Sequence, residues 1–266
     1  MFATSRSQPP EFAWCNRWLQ ADLSDPAAAK YIFSEASPDV VYQLSGRADA
    51  SRDRELVYPT LASDLLTSIS LLMAAVEKPP RRFIMTASLE EPEPGEAPTS
   101  PYAAAKVATT SYGRMFHLLY GVPVVLVRVY MTFGPRQSEQ KIIPYLVRTF
   151  LSGNAPQLGD GDRLVDWIYI DDVVAGLLAA ALAEEVDGLT FDLGSGELHS
   201  ISEVALLVAR LTGAGVQPRF NTAASRAHER VRVADLVATT SRLHWTPLIS
   251  LEQGLQQVVD FYRQQS

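Results

Sequence analysis

What most constrains this chain is an alternation. Short runs rich in β-branched and aromatic residues are followed repeatedly by longer segments with helical periodicity. Asp39-Val40-Val41-Tyr42-Gln43-Leu44 reads as a buried strand. Residues about 59–77 then read as a helix, with Leu65, Leu66, Ile69, Leu72 and Met73 on one side. Arg82-Phe83-Ile84-Met85-Thr86 is a second strand, and residues 101–120 a second long helix. Val122 to Tyr130 is nearly all apolar, as a strand covered on both faces must be. Residues about 171–184 are a further helix, and Leu189 to Leu193 a further strand. This order implies an α/β fold: a Rossmann-like, doubly wound parallel sheet with helices on both faces. Ligands of such sheets bind beyond the C-terminal strand ends, so the residues that follow the strands are the ones to read for chemistry.

Composition excludes several classes. The net charge of -7 argues against a nucleic-acid groove or a polybasic membrane surface. A single cysteine, Cys15, rules out an internal disulfide framework and a Cys-cluster metal site. His117, His199, His228 and His244 show no ligand spacing, so no metal is expected. No apolar run reaches about 18 residues and no apolar leader opens the chain, so the expectation is a soluble, cytoplasmic protein with no membrane partner. Turn residues fill Glu90–Ser100, and Gly153–Arg163 reads as a hairpin or loop. The expected division is 1–130 plus 162–195 as the Rossmann-like unit, and 131–161 plus 196–266 as a small α/β substrate lobe.

The chemistry concentrates in Ser100-Pro101-Tyr102-Ala103-Ala104-Ala105-Lys106. Tyr102 and Lys106, at i and i+4, share a helix face. A nearby ammonium lowers a tyrosine pKa, which suits the phenol to proton transfer near neutral pH. Ser88, at the end of the preceding strand, supplies a second hydroxyl. With ten tyrosines and four lysines the spacing alone is weak, and a surface pair is the plain alternative. Its position after a strand ending in Ser and a Pro-rich loop favours catalysis. Asp166, Asp171 and Asp172 invite a metal reading, but a helix cap from Asp171 or Asp172 is the simpler one. Glu91, Glu93 and Glu96 read as a solvated acidic loop, with Glu90 set apart. Trp14, Trp18, Trp167 and Trp245 read as core rather than sugar platforms.

Several stretches together carry a family resemblance. Asp39 to Gly46 looks like D-V-V-x-H-L-A-A. Ser100 to Lys106 looks like S-P-Y-x-x-S-K, and Arg128 to Pro135 like R-x-x-N-x-Y-G-P. Gly159-Asp160-Gly161 through Asp166–Val173 looks like G-D-G…R-D-F-V-Y-V-D-D-V. Leu193 to Glu197 looks like N-I-G-S-G-E, and Trp245-Thr246-Pro247 with Ser250–Gly254 like W-x-P…S-L-E-E-G. The chain resembles the extended short-chain dehydrogenase/reductases of the nucleotide-sugar epimerase/dehydratase group, over essentially its whole length.

The resemblance implies roles. Tyr102 is the acid/base, Lys106 its activator and ribose ligand, Ser88 the third hydroxyl, and Glu90 a further catalytic carboxylate. Asp22 and Leu23 match the pair beside the adenine, and Leu44, Ser45, Gly46 and Val129 the strand ends along the cofactor, NAD or NADP. Asp64 stands where the family usually has an Asn. Met131, Arg136, Arg163 and Arg232, with Arg230, are the candidates for the substrate. The implied activity is a nucleotide-sugar epimerase or 4-ketoreductase acting at C4, in a homodimer built through a four-helix bundle of 59–77 and 101–120. A dehydratase fits less well, because Leu89-Glu90 replaces an Asp–Glu pair. Gln43, Met131 and Val165 replace the usual His, Asn and Arg, which departs from standard sugar-nucleotide recognition.

The largest departure is at the start. The first glycine is Gly46, so the family's Gly-x-x-Gly-x-x-Gly turn, with its strand and helix, has no counterpart. That strand is central, so its loss implies two half-sheets with exposed edges. A late start, a re-paired sheet with altered cofactor binding, and a neighbouring subunit in the gap all remain open. A non-catalytic nucleotide-sugar-binding or regulatory homologue is the alternative function.

Overall fold

The computed structural model describes residues 1–8, 15–221 and 231–265. The strands are β1 (Phe2–Ser5), β2 (Arg17–Gln20), β3 (Val40–Gln43), β4 (Arg82–Ser88), β5 (Val124–Val129), β6 (Met131–Phe133), β7 (Gln157–Leu158), β8 (Leu164–Tyr169), β9 (Thr190–Leu193), β10 (Leu198–Ser200) and β11 (Arg219–Phe220). The helices are α1 (Pro26–Ala36), α2 (Val57–Thr60), α3 (Thr67–Glu77), α4 (Pro101–Tyr120), α5 (Ile142–Leu151), α6 (Ile170–Leu182), α7 (Ile201–Thr212), α8 (Val237–Leu243) and α9 (Leu251–Arg263). A 3-10 turn, Arg54–Leu56, precedes α2, and a π-helical stretch, Leu61–Leu66, joins α2 to α3.

Two compact units result: Met1–Arg128 with Ala180–Phe191, and Val129–Ala179 with Asp192–Ser266. In the first, the sheet lies in two pieces. β3-β4-β5-β9 form one, and β1-β2 the other. β1 pairs β2 in parallel, as β3 pairs β4 with Val40 opposite Arg82. This is the divided sheet the sequence implies. Edge position tells in the burial: β4 is buried at six of its seven residues, whereas β3 buries only Gln43. The pieces are held together by side chains. Leu23, Ile32 and Phe33 share one core with Leu71, Leu72, Phe83, Met85, Phe116 and Leu126.

The boundaries of α4 have local causes. The Ser100 hydroxyl accepts from the Ala103 N–H, Pro101 takes the first turn, and Gly121 ends the helix at φ 67°. Helix onset before α3 is earlier than expected, at Arg54 rather than about 59. The resulting stretch Arg54–Glu77 is long and apolar enough, by length and composition, to cross a membrane. Apolar-run counting misses it because Ser and Thr interrupt the pattern. Half of that apolar window is buried, and α3 packs on α1 and α4, as a core helix does.

The second unit departs from the expected division. β8 pairs in parallel with β6 and antiparallel with β10, so 162–179 belongs with the second unit, not the first. The 153–163 segment is not a hairpin: β7 pairs with distant β11, in parallel. Trp167 and Trp245 are buried and Trp18 is partly so, whereas Trp14 lies outside the described residues. Asp172 does not cap its own helix. Its carboxylate accepts the N–H groups of Leu248 and Ile249, each at 3.0 Å, and its carbonyl accepts from the Trp245 indole. Buried Asp166 likewise accepts from the backbone of Ser195, Gly196 and Ala234. No group of three or more metal-ligating side chains occurs among the described residues.

Two measurements check this picture. Amide exchange is expected to be faster along β3 than along β4, since β3 has one strand neighbour and little cover. Asp172→Ala leaves two amides without their acceptor and is expected to cost about 2–3 kcal/mol, read by urea denaturation.

Candidate active site

β4 runs out at Ser88, and the loop that follows returns as α4, which carries Tyr102 and Lys106. Three side chains from two elements therefore meet at one strand end. The Ser88 hydroxyl stands close enough to the Tyr102 phenol to favour its ionised form. The Lys106 ammonium lies 5.8 Å from the centre of the Tyr102 ring. It donates to the Thr86 carbonyl at 3.0 Å and stands 3.6 Å from the carboxylate of Asp64. Lys106 is 4% exposed and Asp64 is fully buried.

Two further carboxylates surround the pair. Glu91 is buried, and its Oε1 accepts the Ser88 N–H at 2.9 Å. The Glu90 N–H donates to the Ser88 hydroxyl at 3.2 Å. Burial of Glu91 corrects the expectation of a wholly solvated acidic loop. The missed signal is its spacing three residues after Ser88, where a turn closes with Glu91 N–H donating to Ser88 O. Glu93 and Glu96 are exposed, as expected.

The electrostatics reverse one expectation. Burial pushes the Tyr102 phenol up to about 12, with Asp64, Glu90 and Glu91 pushing the same way and the Ser88 hydrogen bond opposing them. Lys106 does not win. Burial draws its ammonium below the ordinary lysine range, against the pull of Asp64 and Glu91. Desolvation of the phenolate, with three carboxylates nearby, gives the opposite of the lowered value that the i, i+4 lysine implied.

Other sequence candidates fall in varied places. Gly46 belongs to the cluster: a Cβ there would stand 2.5 Å from Asp64 Oδ1, so only glycine fits. Leu44 and Ser45 are exposed just beyond β3, and Ser45 accepts from the buried Gln43 amide. Asp22 is exposed and binds Ser24 in its own turn, which holds its carboxyl below the usual range. Leu23 points into the core. Val129 ends β5, half-buried. Met131, Arg136, Arg163 and Arg232 all lie in the second unit. Met131 pairs across to Trp167 on β8, and Arg136 takes a left-handed turn conformation at φ 64°. The Arg163 carbonyl accepts from Ile201, and Arg232 is half-buried. Arg230 and His228 lie outside the described residues.

This arrangement of serine, tyrosine and lysine at the end of an inner parallel strand can be compared with known proteins. The model of the NAD dependent epimerase/dehydratase family matches residues 2–194. The chain belongs to that family. It is 28% identical to a dTDP-glucose 4,6-dehydratase of an Actinoplanes species, covering 97% of this chain and 82% of the relative. It is 25% identical to the UDP-glucuronate 4-epimerase of Thermodesulfobacterium geofontis, covering 93% and 80%. The solved UDP-glucose 4-epimerase of Thermotoga maritima, with UDP-glucose, superposes with a TM-score of 0.85 at 24% identity, covering 94% and 85%. That likeness confirms the Rossmann fold.

The family's cofactor is matched unevenly. Tyr102, Lys106 and Ser88 offer the polar groups that a nicotinamide ribose and a reacting oxygen require. Among the described residues, no three-glycine turn leads from a strand into a helix to receive a pyrophosphate.

A spectrophotometric titration checks the site. The difference in tyrosinate absorbance between the parent protein and Tyr102→Phe is expected to have its midpoint near 12. A midpoint near the ordinary tyrosine value of about 10 would contradict the placement of the phenol.

Proposed function

We propose that the protein is an NAD(P)-dependent nucleotide-sugar epimerase or 4-ketoreductase acting at C4 of the sugar. The observation that carries this reading is the convergence of Ser88, Tyr102 and Lys106 at the end of β4. When bound, a nicotinamide would supply or accept the hydride. Tyr102 moves the proton on the C4 oxygen, and Ser88 hydrogen-bonds the same oxygen. A phenol raised to about 12 rests in its protonated form at neutral pH. In that form Tyr102 would give its proton to the C4 oxygen of a keto sugar as a bound nicotinamide supplied hydride to C4, and in the reverse direction its phenolate would take the proton of the C4 hydroxyl.

Met131, Arg136, Arg163 and Arg232 are assigned to the nucleotide-sugar side, the arginines for the diphosphate charge. Homodimerisation is proposed through the Arg54–Glu77 stretch and α4. Apolar residues exposed there support it: Tyr58 is 82% exposed and Leu118 81%. A single-protomer mass by light scattering at micromolar concentration would remove the dimer.

The reading is tested by calorimetric titration with NADH and NADPH, followed by turnover of UDP- and dTDP-linked sugars and 4-keto sugars. Tyr102→Phe is expected to lower kcat/KM by about 10²-fold or more. The divided sheet favours a second reading, a nucleotide-sugar-binding homologue without turnover. Absence of cofactor binding up to about 1 mM, an affinity of only about 4 kcal/mol, would select it.

A further inference from the structure

The loop that leaves β4 is folded back on Ser88 at three points. The Glu91 N–H donates to the Ser88 carbonyl at 3.1 Å, the Glu90 N–H donates to the Ser88 hydroxyl at 3.2 Å, and Glu91 Oε1 accepts the Ser88 N–H at 2.9 Å. Ser88 and Glu91 are both buried. Ser-x-x-Glu, with the glutamate reaching back to the serine N–H, is the arrangement that ordinarily opens a helix. Ser200 and Glu203 use it in that way at the start of α7.

The turn after Ser88 does not grow into a helix. Pro92 directly follows Glu91 and disfavours helical backbone there, and Pro94 repeats the interruption. α4 begins only at Pro101, with Ser100 as its own cap. A carboxylate is therefore buried at the end of β4 with no helix for it to start. Burying such a group is costly unless hydrogen bonds answer it. The bond that Glu91 makes goes to the backbone of the residue whose hydroxyl stands beside Tyr102. An oxygen that accepts from the Glu90 N–H turns its own hydrogen away from that amide. The Ser88 hydroxyl accordingly acts on Tyr102 as a donor does, favouring the phenolate.

We propose that Glu91 is a positioning residue for Ser88: its carboxylate holds the strand end so that the Ser88 hydroxyl accepts from the turn and gives its hydrogen to the oxygen it meets in the site. The consequence for turnover rests on the reading of Tyr102 and Ser88 as partners on one sugar oxygen, but the hold on the hydroxyl does not. The charge of Glu91 acts separately from its reach. Glu91 stands with Asp64 and Glu90 among the carboxylates that act on Tyr102, and with Asp64 among those that act on Lys106.

Two conservative variants part reach from charge. Glu91→Gln keeps the reach and loses the charge, whereas Glu91→Asp keeps the charge and falls one methylene short of the Ser88 N–H. The readout is the Cζ resonance of Tyr102 at neutral pH in protein carrying 13C-labelled tyrosine, assigned by Tyr102→Phe, and its displacement by Ser88→Ala. That displacement is expected in the parent protein and in Glu91→Gln, and is expected to be lost in Glu91→Asp. Under turnover, kcat of Glu91→Asp is expected to lie about 10-fold or more below that of Glu91→Gln, with a smaller change in KM. A full Ser88→Ala displacement in Glu91→Asp overturns the proposal. So does its loss in Glu91→Gln alone, which assigns the effect to charge. So does the absence of any displacement in the parent protein, a measurement that needs no change at Glu91. The expected pattern without cofactor binding or turnover sustains the positioning role while removing the enzyme reading. Turnover with a displacement indifferent to Glu91 does the reverse.

Discussion

Burying one ammonium organises the first unit around the end of β4. Lys106 lies behind the end of β4, and nothing about an apolar sheet welcomes a charge there. Its environment answers with a carbonyl from Thr86 and a carboxylate from Asp64. Asp64 reaches it from a π-helical stretch, and Gly46 leaves the space. Each of these features looks incidental alone. Together they bring a phenol, a hydroxyl and an ammonium to one strand end.

The same burial sets the character of the phenol. Burial first, and then the nearby Asp64, Glu90 and Glu91, raise the Tyr102 phenol above the ordinary tyrosine value. A simple count of neighbouring charges in the sequence misses this, because Glu91 and Asp64 gain their influence from burial.

Legibility from sequence followed locality. α4 was readable to the residue because Ser100, Pro101 and Gly121 are local signals that tertiary contacts leave alone. The motif-bearing strands were found for the same reason. The π-helical stretch was not: Thr67 and Ser68 hydroxyls bond the carbonyls of Ala62 and Asp64, and serines and threonines inside an apolar helix pattern do not announce that register. Nor was the role of Asp172. A carboxylate at a helix start resembles a cap, and only the folded chain shows it gripping Leu248 and Ile249. The assignment of β8 failed where strand order, which the sequence does not carry, decides membership.

Those long-range grips bear on how the chain is made. The first unit has all its residues once synthesis has passed Phe191. The second cannot close then. Asp166 waits for Ala234, Asp172 for Leu248 and Ile249, and the core itself for Leu255, Val258, Val259 and Tyr262 on α9. On a ribosome moving from the N-terminus, this unit finishes last, and much of its apolar face stays open until α9 emerges. A chain halted before α9 would therefore hold every residue of the first unit beside an open second one, whose apolar face chaperones and proteases can reach.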